Sequence, residues 1–229
     1  MDLNIIKDFI PIGQRNRPGR VNPMLYVTIH ETANTKKGAN ARAHANYLKG
    51  SDAANLPVSW HYTVDDAEIC QHLPEDEEAY HAGDGKGSGN CQSIGIEIAV
   101  NSDGNFQAAV ERTVELVADI CIRRNIPLEN VRQHYDWSGK NCPMNIRAGK
   151  PYSWKVFLEK VQAAIKAQTV PPGSLPDQEP SGWAKEAWEW AFINKITDGT
   201  NPKGTVTREQ VMQLLFNYRK YNVEKREKA

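Results

Sequence analysis

The sequence is poor in cysteine, which excludes one common way of stabilising a small fold. Only four cysteines occur among 229 residues. Cys70 and Cys121 lie inside apolar segments, so no disulfide framework is evident. We therefore expect reduced thiols and a fold that depends on a hydrophobic core, for which this length is sufficient.

The sequence also lacks an excess of charge of either sign. Lys and Arg total 28, and Asp and Glu total 28. A chain without net charge does not attract nucleic acid or an anionic membrane through its overall field. We therefore expect no nucleic-acid partner.

Long apolar runs are missing from the start of the chain. The first twenty residues contain charged side chains throughout, among them Asp2, Lys7, Arg15, Arg17 and Arg20. Neither a secretory signal nor a transmembrane helix fits such a segment. The expectation is synthesis in the cytoplasm without a signal peptide, and no membrane insertion.

What is present is a series of short apolar runs between longer segments of helical periodicity. Runs with the length and β-branched content of buried strands occur at 26–29, 62–64, 94–100 and 131–134. Apolar residues recur at helical spacing over 106–124 and 154–165, and less clearly over 41–48. This pattern predicts a mixed α/β domain with a central sheet flanked by helices.

A stretch rich in proline and glycine divides the chain. Residues 169–182 contain many breakers and few apolar side chains, as is typical of a semi-extended linker. We predict a first domain over residues 1–168 and a small helical C-terminal module over residues 183–229. In this module Trp183 and Trp190 mark one helical face, and a capping box at 207–210 opens a second helix.

Two histidines and one cysteine form a candidate metal site. His30 closes the apolar run at 26–29, and a loop containing Gly139 separates His134 from Cys142. Two imidazoles and a thiolate suit three corners of a zinc tetrahedron, which leaves the fourth for water or substrate and indicates hydrolysis. Taken singly, each histidine could be structural and Cys142 could be a buried, inert thiol.

Five short motifs extend this site along the first part of the chain. They are Ile29-His30-Glu31-Thr32, Ser59-Trp60-His61-Tyr62, His81-Ala82-Gly83, Ser93-Ile94-Gly95-Ile96-Glu97, and the segment from Gln133-His134 to Lys140-Asn141-Cys142-Pro143. In this order, over about residues 1 to 165, the chain resembles zinc-dependent N-acetylmuramoyl-L-alanine amidases of the phage or prophage endolysin type. The resemblance implies an amidase type 2 fold, like that of peptidoglycan-recognition proteins, with zinc held on the sheet by His30, His134 and Cys142.

The resemblance also implies a reaction. Such an enzyme cleaves the amide between the lactyl group of N-acetylmuramic acid and L-alanine of the stem peptide, so bacterial peptidoglycan is the expected substrate after release from the cell. The residues alone indicate only a zinc hydrolase acting on an acyl centre. A protein that binds peptidoglycan without cutting it, and a zinc hydrolase of another amide, stay open as alternatives.

Two further residues are candidates for catalysis. Strand alternation brings Glu97 between apolar neighbours, where desolvation should raise the pKa of its carboxyl toward that of a general base, the role implied by the family. Lys140 is two residues before Cys142, and the resemblance implies that it stabilises a tetrahedral intermediate. A structural salt bridge for Glu97 and a solvated surface position for Lys140 are the alternatives.

Trp60, His81 and Gly83 are the candidate substrate-binding residues. An indole can pack against a sugar or a stem peptide, and an imidazole can hydrogen bond it. Trp60 could equally belong to the core. From residue type alone His61 or His81 could replace one of the two ligand histidines, but the resemblance argues against it.

The C-terminal module resembles one copy of the S-layer-homology type of cell-wall module. The similar runs are Trp183-Ala184-Lys185-Glu186-Ala187, Ile196-Thr197-Asp198-Gly199 and Val206-Thr207-Arg208-Glu209-Gln210. The resemblance implies binding to a wall glycopolymer. Since the family pattern usually has three copies and this chain has one, a complete carbohydrate site could require self-association. The alternative is a segment that only stabilises the first domain.

Overall fold

The structure is a computed structural model that describes residues 3–169, 180–194, 196–197 and 211–219. The chain forms two compact units, Met1–Lys166 and Ala167–Ala229. Most of the predicted linker at 169–182 lies outside the described residues, so the three-part division stays a prediction.

Six strands form one sheet in the first unit. They are β1 (Ile5–Lys7), β2 (Tyr26–Glu31), β3 (Tyr62–Val64), β4 (Ile69–Gln71), β5 (Ser93–Ile98) and β6 (Val131–Gln133). Their order is β1-β4-β3-β5-β2-β6, and every neighbouring pair is parallel except β3 with β4. The predicted central sheet of a mixed α/β domain is therefore confirmed.

The strand limits differ from the prediction in ways that concern the site. Strand β2 continues through His30 to Glu31, so His30 lies inside the strand and does not close it. Strand β6 ends at Gln133, and His134 has right-handed helical backbone angles at the start of the next turn. The short strands β1 and β4 were not predicted.

Helices surround this sheet. They are α1 (Ala41–Lys49), α2 (Ser51–Ala54), α3 (Ser88–Cys91), α4 (Phe106–Arg124), α5 (Tyr135–Ser138), α6 (Met144–Arg147) and α7 (Trp154–Thr169), with a 3-10 turn at Leu128–Asn130. The three helices expected from periodicity correspond to α1, α4 and α7. Asn105 caps the start of α4 by accepting a hydrogen bond from the Ala108 N–H, and Asn125 ends it in the left-handed conformation.

Alternation along the central strands gives the sheet two chemically different faces. On one face, Ile29 of β2 and Ile96 of β5 pack in the main core with Val117 of α4 and Phe157 of α7. The opposite face carries the residues between them, Thr28 and His30 on β2 with Ser93, Gly95 and Glu97 on β5. The polar face therefore holds the side chains from which a site can be built.

In the second unit the described residues include α8 (Lys185–Ile193) and a further helical segment at 211–219. Trp190 and Tyr218 make an edge-to-face contact with ring centroids 6.4 Å apart, so these two helices meet. Trp183 precedes α8 and is 90% exposed. The predicted capping box at 207–210 lies outside the described residues.

Two further observations concern the state of the cysteines and the expectation of no membrane insertion. The four cysteines are free thiols, with Cys70, Cys121 and Cys142 buried and Cys91 half-buried. Within the described ranges, none of the helices has the length and apolar character needed to span a bilayer.

Candidate metal centre and active site

The register of β2 and β5 places His30 beside Glu97. The two residues are direct partners in a parallel pairing, and both side chains belong to the polar face. His30 Nδ1 lies 4.0 Å from Glu97 Oε1. A candidate ligand and a candidate general base are thus neighbours because of strand pairing alone.

The structure brings the three predicted ligands together. Candidate ligand atoms of His30, His134 and Cys142 all lie within 4.8 Å of one another, and each residue is buried. His30 Nδ1 and His134 Nδ1 are 2.9 Å apart. The loop between His134 and Cys142 closes because the Tyr135 N–H donates to the Cys142 carbonyl at 3.0 Å, while Gly139 turns the chain at φ +74°.

The environment of both candidate ligand histidines favours the neutral form. Burial lowers the pKa of His30 and of His134 below the usual range of an imidazole, and the positive charge of Lys140 acts in the same direction. A neutral imidazole keeps a lone pair for a cation. Two neutral imidazoles that converge on one point suit metal binding.

Cys142 depends on a nearby positive charge to ionise. Burial, and next the charge of Glu97, raise the pKa of the Cys142 thiol to about 12. The Glu31 N–H points at Cys142 Sγ at 3.4 Å, which favours the thiolate. A divalent cation held by the two histidines would supply the missing charge.

Glu31 is a residue whose role was not predicted, although it follows His30 in the first motif. Its buried carboxylate accepts hydrogen bonds from the Asn145 and Ile146 backbone N–H groups and from Asn145 Nδ2, at 2.8–3.1 Å. These bonds tie the start of α6 to the end of β2, and so they fix the segment that follows Cys142. One sign of this role was present in the sequence, namely a charged residue directly after a predominantly apolar run.

Glu97 has the environment of a general base. Its side chain is 15% exposed, and Oε2 is buried without a hydrogen-bond partner among the described residues. Desolvation raises the pKa of Glu97 to about 8, although the charge of Lys140 opposes this rise. An unpartnered carboxylate oxygen beside a trio of metal ligands is available for a proton from a reacting water.

A cleft of about 970 Å³ opens next to this centre. His134, Lys140, His81 and Gly83 line it together with Arg20, Pro57, Glu78, Tyr80, Gly85, Lys86, Asn90, Cys91 and Ser138. Lys140 therefore borders the space where a substrate would lie. Gly83 borders it too, in agreement with a substrate-binding position.

Trp60 is not on the wall of this cleft. It packs in a second core cluster with Ile10, Leu48 and Leu73, and its Nε1 donates to Thr63 Oγ1 at 2.7 Å. The structure therefore favours the core alternative for Trp60 and corrects its assignment as a groove residue, because an indole that is 7% exposed has no face left for a sugar.

The remaining histidines near the motifs lie outside the candidate ligand trio. His61 Nδ1 accepts from the Gly95 N–H at 2.9 Å, and its Nε2 donates to the Glu77 carbonyl at 2.8 Å. His81 lies beside His30 but outside the ligand trio, with its Nδ1 2.9 Å from His30 Nε2. The choice of ligands that the resemblance implied agrees with this geometry.

Comparison with known proteins gives a family match over the same region. Residues 20–145 match the sequence model of a family described as N-acetylmuramoyl-L-alanine amidase. The amidase XlyA of Bacillus subtilis is 54% identical over 144 residues, which are 63% of this chain and 48% of that protein. The amidase CwlH of the same species is 44% identical over 185 residues, which are 80% of this chain and 70% of that protein.

The chain thus spans about half the length of XlyA and more of CwlH. Among solved structures, the catalytic domain of XlyA superimposes with a TM-score of 0.65 at 49% identity, and the match covers 69% of this chain and 99% of that domain. A structure of PlyL superimposes with a TM-score of 0.61 at 32% identity, covering 69% of this chain and 96% of that one.

Proposed function

Because the chain belongs to the N-acetylmuramoyl-L-alanine amidase family, we propose that it is a peptidoglycan hydrolase. The bond cleaved is the amide between the lactyl group of N-acetylmuramic acid and L-alanine of the stem peptide. The observation that carries this proposal is the convergence of His30, His134 and Cys142 beside Glu97, at the edge of a cleft.

Zinc is the metal that suits these donors. Two neutral imidazoles and a thiolate are ligands of catalytic zinc sites, which leave a fourth position open. Oε2 of Glu97, which is buried without a hydrogen-bond partner among the described residues, supports a cation here, because an ionised carboxylate is costly to bury without compensation. Bound there, zinc would supply Lewis-acid chemistry, polarising the scissile carbonyl and making water a better nucleophile.

Glu97 and Lys140 supply the rest of the chemistry. Glu97 takes a proton from the attacking water, and it returns that proton to the nitrogen of the leaving L-alanine. The ammonium of Lys140 opposes the negative charge that develops on the carbonyl oxygen. Lys140 also lowers the pKa of Glu97, which favours the carboxylate needed at the start of the reaction.

The second unit directs this activity to the wall. Its described part leaves large apolar side chains exposed, namely Trp183, Trp190, Ile193, Val211, Met212, Leu215, Phe216 and Tyr218. Aromatic side chains of this kind bind sugars and partner chains. The module recognises a wall glycopolymer, with self-association as a way to complete its site, and the enzyme acts on the wall after release from the cytoplasm.

Product analysis tests the proposal. Purified peptidoglycan is incubated with the zinc-loaded protein, and the fragments are identified by mass spectrometry and by labelling of new amino groups. We expect stem peptides with a free N-terminal L-alanine and glycan chains with free lactyl carboxyl groups. The same preparation treated with a chelator serves as the control, and resupplied zinc should restore the products.

Two other outcomes would contradict the proposal in different ways. Binding to peptidoglycan without any new amino group would indicate a recognition protein. New amino groups at other positions of the peptide would indicate a zinc hydrolase of a different amide.

A further inference from the structure

We propose that His81 is a positioning residue that fixes the proton of His30 on Nε2 and so directs the Nδ1 lone pair of His30 at the metal. The inference rests on the proposed metal-dependent function. His30 Nε2 and His81 Nδ1 are 2.9 Å apart, and the two rings meet edge to face at 89°. His81, which was predicted to bind substrate, lines the cleft and also lies beside the candidate ligand His30.

The direction of the hydrogen bond between the two rings follows from the groups behind His81. His81 Nε2 lies 3.4 Å from Ser93 Oγ. Ser93 Oγ donates to the Gly89 carbonyl at 2.7 Å, which uses the only proton of this hydroxyl. The Ser93 hydroxyl is therefore an acceptor for His81.

The proton on His81 must then be at Nε2. With Nε2 as the donor, His81 Nδ1 is an acceptor, and His30 Nε2 has to supply the proton between the two rings. His30 Nδ1 is thus left with its lone pair, and this is the atom that lies 2.9 Å from His134 Nδ1. A ligand histidine with its second nitrogen held by a hydrogen bond is the arrangement that tunes metal sites.

Independent contacts hold the His81 ring in place. A β-carbon at Gly95 would lie 2.7 Å from His81 Cγ, which is too close for two carbon atoms that are not bonded. The ring can pack directly on strand β5 at this position because glycine has no β-carbon. Asn90 Oδ1 accepts hydrogen bonds from the His81 and Ala82 N–H groups, both at 2.8 Å. The packing of the His81 ring against Gly95 therefore explains both the histidine of the third motif and the glycine of the fourth.

The same segment holds the second ligand histidine. A β-carbon at Gly83 would lie 3.7 Å from His134 Nε2, so this edge of the ring faces the backbone that follows His81 and Ala82. The segment from His81 to Gly83 therefore contacts both imidazoles, one through a side chain and one through the backbone.

The test compares zinc affinity in three variants of the full chain, measured by competition with a chelator of known affinity. His81→Leu should bind zinc about 10–100-fold more weakly than the parent, the range for loss of a group that orients a ligand. His81→Asn should recover most of this affinity, because an amide oxygen can accept from His30 Nε2. His44→Leu is the matched control, since His44 is similarly buried but hydrogen bonds the Asn40 carbonyl in α1.

A second measurement reads the tautomer directly. In the metal-free parent, nitrogen NMR of the imidazoles should show His30 protonated at Nε2, and His81→Leu should give a mixture of tautomers. Suppose that the parent binds zinc tightly. The inference about His81 would then be wrong, with the proposed function unaffected, if folded His81→Leu kept the parent's zinc affinity or if His30 were protonated at Nδ1. A parent that binds no zinc would overturn the proposed function as well.

Discussion

At the scale of single residues, Glu97 differs from the other buried carboxylates of the described residues because one of its oxygens has no hydrogen-bond partner. Glu31 is also buried, but it accepts hydrogen bonds from Asn145 and Ile146, whereas Oε2 of Glu97 has no partner within the described ranges. A buried carboxylate without partners costs stability, so its presence beside the candidate ligands is in keeping with a role in the reaction.

We predict that Glu97→Gln lowers turnover of peptidoglycan at least about a hundredfold while zinc stays bound, since a positioned acid or base contributes about that much. Lys140→Ala should have a comparable effect by removing the charge opposite the oxyanion. The measurement is the initial rate of amino-group release, with metal content determined on the same samples.

Two matched variants separate these roles from general effects of charge. Glu68→Gln changes a carboxylate that pairs with Arg42 far from the centre, and it should leave the rate unchanged. Lys86→Ala changes another lysine that lines the cleft, and its effect should be clearly smaller than that of Lys140→Ala. Parent rates in both Glu97→Gln and Lys140→Ala would rule out the mechanism even if the metal site were right.

The sequence predicted the three residues that converge in the candidate metal centre, because their residue types carry the chemistry and because the motif order is specific. It did not predict what His81 contacts, since a pattern along the chain does not say which way an imidazole turns. The same limit applies to Trp60, where residue type allowed both a groove and a core position. Only the packing around Leu48 and Leu73 decides between them.

At the scale of elements, the long helix α4 is joined to the sheet through one carboxylate. Glu75, shortly after β4, accepts hydrogen bonds from Arg123 and Arg124 in the last turn of α4 and from the Tyr62 hydroxyl in β3. Burial opposes ionisation of this group, but the bonds from Arg123 and Tyr62 outweigh it and lower the pKa of Glu75 to about 2. The contribution of this ion cluster to stability therefore depends on pH.

The sign of this dependence follows from linkage. The unfolded chain binds a proton on Glu75 near its ordinary pKa of 4.5, whereas the folded protein does so only near 2. The contribution of Glu75 to stability is thus complete above about pH 4.5 and is lost as the pH falls toward 2. Its size is on the order of 3 kcal/mol for a shift of this extent.

We therefore predict that Glu75→Gln lowers the free energy of unfolding at pH 7, and that the difference from the parent shrinks as the pH falls from 5 toward 2. Urea unfolding of both proteins across this range is the measurement. Glu159→Gln, which removes an exposed partner of Lys155, should show no such trend. A difference between Glu75→Gln and the parent that stayed constant with pH would contradict this assignment.

The sequence predicted those elements whose pattern is long enough to show a period. Helix α4 extends over 19 residues, and its apolar spacing agrees with the buried face that the structure shows. Strands β1 and β4 have three residues each, and Lys7 and Gln71 interrupt their apolar character. They exist because neighbouring strands supply hydrogen bonds, which is information that a short segment does not contain.

At the scale of the whole molecule, the two units make separate contributions. The first unit contains the candidate ligand trio, the candidate general base and the cleft, whereas the exposed tryptophans Trp183 and Trp190 belong to the second. A solved catalytic domain of XlyA matches almost entirely to the first part of this chain, which supports its ability to fold alone.

We predict that a chain ending after Lys166 still releases amino groups from soluble peptidoglycan fragments but sediments less with intact cell walls than the full chain. Cosedimentation and a fragment assay on the same preparations provide the comparison. Unchanged wall binding together with a lowered melting temperature would instead show that residues 167–229 stabilise the first unit and do not target it.

The measurement that tests the central claim most directly is zinc content with activity in Cys142→Ser, using Cys91→Ser as the matched control. Cys91 is a half-buried thiol outside the ligand trio. The account predicts one zinc per chain in the parent and in Cys91→Ser, and a strong loss of both zinc and amidase activity in Cys142→Ser. Full zinc occupancy and full activity in Cys142→Ser would contradict it.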